Sequence, residues 1–310
     1  YKDLFCSKGT EQVDMVLQGI SQTITDQMNL RLTEPVREVE IKEALFSMNP
    51  TKAPGPDGMT PNFFQKFWNI LKTDVIQAIT SFFHSGHMLK AVNHTIISLI
   101  PKVENPTDIK QFRPISLCNV IYKIISKILA NRLKKVLDNC ISKNQAAFVP
   151  GRQILDNVIV SHEYMHYLKN KRQESQGFMA LKLDMSKAYD RVEWGYLKEM
   201  MIKLGFCEKW ISWIMECITT ATFSFNINGE ARGYVIPSRG IRQGDPLSPY
   251  LFLLVSEGFS NLLAQAESNQ KLTGMKISRS GPAISHLFFA DDSLIFCKAD
   301  KHQATEVMKV

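Results

Sequence analysis

The chain has 310 residues, 45% of them hydrophobic, enough apolar material for a sizeable core and more than one lobe. Lys and Arg total 37 against 30 Asp and Glu, a net charge of +7 that suits a polyanionic partner without requiring one. Six scattered cysteines with no C-x-x-C pair argue against a disulfide framework or a zinc knuckle, and no apolar run approaches the ~18 residues that span a bilayer.

With no secretory leader legible at the start, these features read as a soluble intracellular protein with reduced thiols. The first residue is Tyr1 rather than Met, and the last, Val310, falls inside a helical pattern that begins at Lys301, so the sequence reads as a piece of a longer polypeptide.

Residues 1–34 are polar and loosely patterned, and read as a linker or lead-in helix. Residues 39–48 carry Val39, Ile41, Ala44 and Leu45 at helical spacing, and the Gly- and Pro-rich stretch 53–58 ends that helix. A second helix is predicted over 62–85, with Phe63, Phe64, Phe67, Trp68, Leu71, Val75, Ala78, Ile79 and Phe82 forming a core-facing stripe. Residues 95–100 have strand character, and Lys102 and Arg113 flank the loop that follows. From 119 to 138 the spacing predicts one long amphipathic helix with Lys123, Lys127, Arg132, Lys134 and Lys135 turned outward, either a solvated face or a surface for phosphates.

His162-Glu163-Tyr164-Met165-His166 spells the helical H-E-x-x-H zinc pattern, with both histidines on one helix face. Lys169 and Arg172 stand where the extended form needs Gly and a third His, and neither Glu174 nor Glu193 lies in a context that recommends it as a ligand. With three fixed positions the pattern arises easily by chance, so a helix without metal is the preferred reading over a zinc peptidase.

Residues 177–183 alternate with the period of a half-buried strand that ends at Asp184. Further on, Pro246 can open a helix running through Leu251, Leu254, Phe259 and Leu263, preceded by a turn at Gln243-Gly244. Near the end, Phe289-Ala290-Asp291-Asp292 sets two adjacent carboxylates between short apolar runs that read as paired strands. Two such carboxylates repel one another unless a cation lies between them, which points to a divalent metal. Asp184 offers a third carboxylate. Three aspartates on neighbouring strand ends can hold two hard cations about 3.5–4 Å apart, the arrangement that serves in-line phosphoryl transfer. Taken alone, Asp184 could be a strand-end cap and the Asp pair a solvated turn.

The order of blocks decides between these readings. Leu183-Asp184-Met185-Ser186-Lys187-Ala188-Tyr189-Asp190, then Ile241-Arg242-Gln243-Gly244-Asp245-Pro246-Leu247-Ser248-Pro249, then Phe289-Ala290-Asp291-Asp292 resembles the catalytic blocks of reverse transcriptases. Upstream, Lys52-Ala53-Pro54-Gly55-Pro56-Asp57-Gly58, Leu99-Ile100-Pro101-Lys102, Phe112-Arg113-Pro114-Ile115-Ser116-Leu117 and Gln145-Ala146-Ala147-Phe148-Val149-Pro150-Gly151-Arg152 are similar to blocks of non-LTR (long interspersed element) retrotransposon polymerases, most like the plant ones.

That resemblance implies an α+β right-hand polymerase fold: a lead-in segment at 1–34, a helical extension at 35–90, fingers at 91–177 and a palm at 178–310, with the thumb absent from this sequence. It implies RNA-directed DNA synthesis, with an RNA template, a DNA primer or target and dNTP as partners, acting on chromosomal DNA in the nucleus; oligomeric state is not legible.

It also implies that Asp184, Asp291 and Asp292 bind two Mg2+ ions, for which Mn2+ can substitute. Tyr189 becomes the steric gate beneath the incoming sugar, Lys102 and Arg113 clamp the triphosphate, with Lys110 competing for the lysine role, and Gln243 and Gly244 contact the nucleotide. Asp190 and Asp245 read as structural carboxylates. The competing function is a catalytically incomplete remnant that binds nucleic acid without polymerising.

Overall fold

The computed structural model describes residues 3–171 and 177–310, so Arg172 and Glu174 of the H-E-x-x-H discussion lie outside the described residues. Seven strands, β1 (His94–Pro101), β2 (Phe112–Cys118), β3 (Phe178–Asp184), β4 (Thr222–Ile227), β5 (Glu230–Val235), β6 (His286–Phe289) and β7 (Asp292–Lys298), form two sheets among the described residues. The first has the order β2-β1-β4-β5, with β1 antiparallel to β2 and parallel to β4. The second is antiparallel throughout, in the order β3-β7-β6. The fold is α+β. A single cut at residue 177 does not separate the sheets, because β4 and β5 lie beyond it in sequence and yet join the sheet of β1 and β2 through the pairing of β4 with β1.

The larger core is helical. Val120–Lys134, Trp194–Leu204, Glu208–Thr219, Trp68–Ser85 and the first part of Ser248–Ser268 pack around Tyr122, Leu197 and Trp210, all fully buried. The three-stranded sheet is covered on both faces, which is why its strands carry consecutive large apolar residues. Phe288, Ile295 and Cys297 face Leu263 and Ala266 of Ser248–Ser268, whereas Leu287 and Phe296 face Tyr164 of the helix Ile154–Asn170.

Three expectations are corrected. The helix predicted over 62–85 is two helices, Pro61–Lys66 and Trp68–Ser85, broken at Phe67; Phe64 and Trp68 go into the core while Phe63, Phe67 and Ala78 stay exposed. The long helix over 119–138 ends at Lys134, and a short one, Leu137–Cys140, follows. Nor do Lys123 and Arg132 face outward. They are 6% and 4% exposed. Lys123 donates to the Ala53 carbonyl, and Arg132 donates to the carbonyls of Leu32, Glu34 and Pro35 while pairing with Glu40 at 2.9 Å.

Residues 3–34 are packed on the body of the protein rather than hanging from it. Leu17, Ile24 and Leu32 are buried, and the amides of Thr23 and Ile24 both donate to the Leu204 carbonyl. The Gly- and Pro-rich stretch 53–58 lies against the start of Val120–Lys134, where a Cβ on Gly55 would stand 2.4 Å from Asn119 backbone nitrogen, so only glycine fits this approach.

Candidate active site

Asp184 ends β3 directly opposite Asp292, the first residue of β7. Between β6 and β7 the chain turns on two residues, Ala290 and Asp291, with Phe289 paired to Asp292 across the hairpin. Ala290 has φ of 61°, the left-handed region that a Cβ disfavours. Strain of this kind, of order 1–3 kcal/mol, persists only where surrounding bonds hold it. Here the Ala290 amide donates to Gln145 Oε1 at 3.1 Å, and the Met185 amide reaches the Asp291 carbonyl at 3.4 Å. Gln145 is 1% exposed, and Arg152 holds its loop by donating to the carbonyls of Ile141 and Gln145. Sequence reasoning gave Gln145 no role, since a glutamine carries no periodic or chemical signal of its own.

These strand ends open on a cavity of about 870 Å³. Asp184, Asp291, Tyr189, Lys102, Arg113, Gln243 and Gly244, seven of the eight expected site residues, line it together. Asp292 is the exception: it does not line the cavity, and its carboxylate lies 3.1 Å from Lys182 Nζ, both side chains being substantially exposed. Lys52, Lys110, Lys127, Lys134, Lys187 and Arg191 add further positive charge to the walls, so cations exceed the four carboxylates Asp184, Asp190, Asp245 and Asp291. Burial, and then the neighbouring Lys134 and Lys52 ammonium groups, lower the pKa of Lys127. An anionic ligand would relieve that repulsion.

Tyr189 lies flat on Phe252, ring centroids 5.1 Å apart and 9° from parallel, so its position is set by packing. Burial, reinforced by the negative charge of Asp291 and by Tyr250, raises its phenol to about 12, which keeps it neutral. The Gln243-Gly244 turn is pinned to β2 through the Ser116 amide, which donates to the Gln243 carbonyl at 2.9 Å. Gly244 has φ of 99°, and a Cβ there would meet only ordinary contacts, so conformation rather than space demands glycine.

Beneath the turn lies a buried charge network. Arg242 donates to Asn93 Oδ1, Thr95 Oγ1 and the Cys217 carbonyl at 2.7, 3.2 and 2.8 Å, lies 3.9 Å from Asp245, and stacks over the Tyr122 ring. Asp245 accepts from Tyr122 Oη at 2.7 Å and from Ser126 Oγ. This is the structural role expected of Asp245.

Asp190 is 3% exposed, and its Oδ1 accepts from Gln243 Nε2 at 3.4 Å while Oδ2 has no partner. Burial raises its carboxyl from 3.8 to about 6, opposed by Lys187, the Gln243 hydrogen bond, Lys102 and Arg191. Because the folded state favours the protonated form, Asp190 contributes stability fully below its unfolded pKa and loses it as pH rises through about 6. Asp190→Asn is therefore expected to raise the unfolding free energy at pH 8 by about 2 kcal/mol and to leave it unchanged near pH 4. Urea titration at both pH values checks this; an equal effect at both would assign the change to packing.

The donors available to a metal at this site are carboxylate oxygens, without His or Cys, a set suited to hard divalent cations. In the described residues no group of three His, Cys, Asp or Glu side chains is drawn together tightly enough to enclose an ion, consistent with Asp292 being turned to Lys182. Asp184 at the end of β3 and Asp291 in the turn before β7 both line the cavity.

His162, Glu163 and His166 are exposed on Ile154–Asn170, and His166 Nε2 is 2.8 Å from Asn170 Nδ2. Glu193 is engaged elsewhere, with Arg239 at 3.1 Å. Replacing both His162 and His166 by Ala is expected to leave the zinc content of the purified protein unchanged and its unfolding free energy within about 0.5 kcal/mol, the range of surface substitutions. Stoichiometric zinc lost on that change, measured by atomic emission, would contradict it.

The reverse transcriptase (RNA-dependent DNA polymerase) family profile matches residues 100–310. The chain belongs to that family. It is 32% identical over 93% of its length to the Transposon TX1 uncharacterized 149 kDa protein of Xenopus laevis, and covers 22% of that protein. It is 25% identical over 94% of its length to the retrovirus-related Pol polyprotein from type-2 retrotransposable element R2DM of Drosophila melanogaster, and 25% identical over 73% to the RNA-directed DNA polymerase from mobile element jockey of the same fly. The chain spans about a quarter of the length of these relatives. Reverse transcriptases generally work with divalent metal ions, an RNA template and a nucleic-acid primer. Among the described residues no helix is long and apolar enough to cross a membrane.

Proposed function

We propose that this chain carries the nucleotidyl-transfer site of a non-LTR retrotransposon reverse transcriptase, which makes DNA on an RNA template from a primer on chromosomal DNA in the nucleus. The observation that carries the reading is the meeting of Asp184 and Asp291 with Tyr189, Lys102, Arg113 and Gln243 around one cavity. In this reading the three-stranded sheet is the palm, and the β1–β2 hairpin belongs to the fingers.

Asp184 and Asp291, with Asp292 at the periphery, would hold two Mg2+ ions, or Mn2+ in their place. When bound, the metal supplies acidification of the primer 3′-hydroxyl and neutralisation of charge on the triphosphate. Release of Asp292 from Lys182 is the local change that would complete the ligand set. Both side chains are exposed, and such ion pairs contribute little, so this release is easy.

Lys102 and Arg113 stand at the loop end of the β1–β2 hairpin, where Ile100 pairs with Arg113 and the Lys102 amide donates to the Gln111 carbonyl. As a point charge and a planar fork they hold and orient phosphate oxygens. Gln243 orients the base or sugar, itself held by Asp190, and Gly244 permits close approach of the backbone.

Tyr189, fixed against Phe252, presents a rigid wall where the sugar would lie, so a 2′-hydroxyl is excluded by clash. Tyr189→Val is expected to raise ribonucleotide use relative to deoxyribonucleotide use by about 10-fold or more, with DNA synthesis only moderately reduced. Competitive single-nucleotide incorporation measures the ratio; an unchanged ratio would reduce Tyr189 to a core residue.

A further inference from the structure

Beside the main cavity lies a second one, of about 370 Å³, that shares Lys110, Lys187 and Arg191 with it and is completed by Lys8 and Arg239. Five cationic side chains therefore converge on one small volume, and among its described lining residues there is no carboxylate. Of the acids close by, Glu193 is engaged by Arg239 at 3.1 Å and by Ser7 Oγ at 2.6 Å, and Asp190, which faces Lys187 and Arg191, accepts from Gln243. An added anion would offset like charges so gathered.

Lys8 is held there by an anchored segment. Phe5 is buried edge-on against Phe223, with ring centroids 5.2 Å apart. The Ser238 amide donates to the Phe5 carbonyl at 2.8 Å, the Ser7 amide donates to Ser238 Oγ at 2.7 Å, and Arg239 Nε donates to the Leu4 carbonyl at 2.8 Å. The backbone leading into Lys8 is thus fastened to residues 238 and 239, and Lys8, exposed as a residue, lines the smaller cavity.

We propose that this annex is a second phosphate subsite, which takes a diphosphate group: the terminal phosphates of a nucleotide on its way in, or the pyrophosphate released from it. The inference rests on the main cavity being the nucleotide-transfer site. Lys110, Lys187 and Arg191 line both cavities, so the annex lies side by side with the main one and shares its cationic wall. The small volume suits a compact anion rather than a nucleic-acid duplex.

The test is calorimetric titration of the 310-residue chain with inorganic pyrophosphate and, separately, with dTTP at fixed ionic strength. Lys8→Glu is expected to weaken pyrophosphate binding by about five- to tenfold, and Lys8→Arg by less than about twofold. Lys169→Glu, the same charge change on the exposed side of Ile154–Asn170, is expected to change it by less than about twofold. Circular dichroism confirms that each variant is folded.

Weakening of dTTP binding along with pyrophosphate by Lys8→Glu would assign the annex to the entering nucleotide, and weakening of pyrophosphate alone to the product. No saturable pyrophosphate binding by the wild-type chain, affinity unchanged by Lys8→Glu, or equal weakening by Lys169→Glu would overturn the proposal. If dTTP binding then persists and is lost on Lys102→Ala, the main site stands without its annex; if dTTP does not bind either, the underlying reading falls as well.

Discussion

Replacing Asp184 or Asp291 by Asn is expected to abolish primer extension, a loss of about 10³-fold or more, while binding to RNA stays within about twofold. The two carboxylates end β3 and occupy the hairpin turn before β7, line one cavity, and have no nearby substitute: Asp190 and Asp245 also line it, but one is bound to Gln243 and the other lies in the Arg242 network. Asn keeps the size of the side chain and removes the charge a hard cation needs. Asp292→Asn is expected to cost less, since Asp292 lies outside the cavity wall and is paired with Lys182. Single-turnover extension with filter-retention binding on the same preparations separates chemistry from binding. Retained turnover in either principal mutant would remove the metal assignment.

The second large effect is on stability. Arg242→Ala is expected to cost about 3–5 kcal/mol, because it leaves the buried Asp245 carboxylate without its cation and strips partners from Asn93, Thr95 and the Cys217 carbonyl. With Tyr122, these groups come from the start of β1 and the residue before it, the end of Glu208–Thr219 and the helix Val120–Lys134, so the network joins the first sheet to two core helices next to Gln243 and Gly244. Adding Asp245→Asn to Arg242→Met should recover much of the loss, since the uncompensated charge is then gone. Urea midpoints of the single and double variants measure this. A loss below about 1 kcal/mol for Arg242→Ala would mean that water or another cation reaches Asp245.

Much of the site was legible because its chemistry conflicts with its surroundings. Asp291 and Asp292 interrupt an apolar hairpin, and Asp184 terminates a period-two strand, so the carboxylates announce themselves where apolar side chains would be expected. Tyr189, Lys102, Arg113 and Gln243 came from the resemblance instead; no periodicity distinguishes them, and the structure brings them to the same cavity as the two aspartates.

Long-range pairing was not legible. A lysine or arginine on a helical pattern reads as outward-facing, yet Lys123 and Arg132 are buried because carbonyls of residues 53 and 32–35 come to meet them from far along the chain. The break at Phe67 was hidden by an aromatic stripe that continues through it. The joining of β4 and β5 to β1 and β2 depends on the parallel pairing of His94 with Thr222, a contact that local pattern cannot see. Gln145 was silent for the same reason, its partner being the amide of Ala290 at the hairpin tip.

RNA-templated synthesis itself is the most direct test of the account. Purified protein carrying this chain with its native flanking sequence, given poly(rA) primed with oligo(dT), dTTP and Mg2+, should add dTMP to the primer in a reaction abolished by chelation. Folded protein that binds the primed RNA and dTTP yet adds no nucleotide in Mg2+ or Mn2+ would contradict the assignment of this cavity as a working polymerase site.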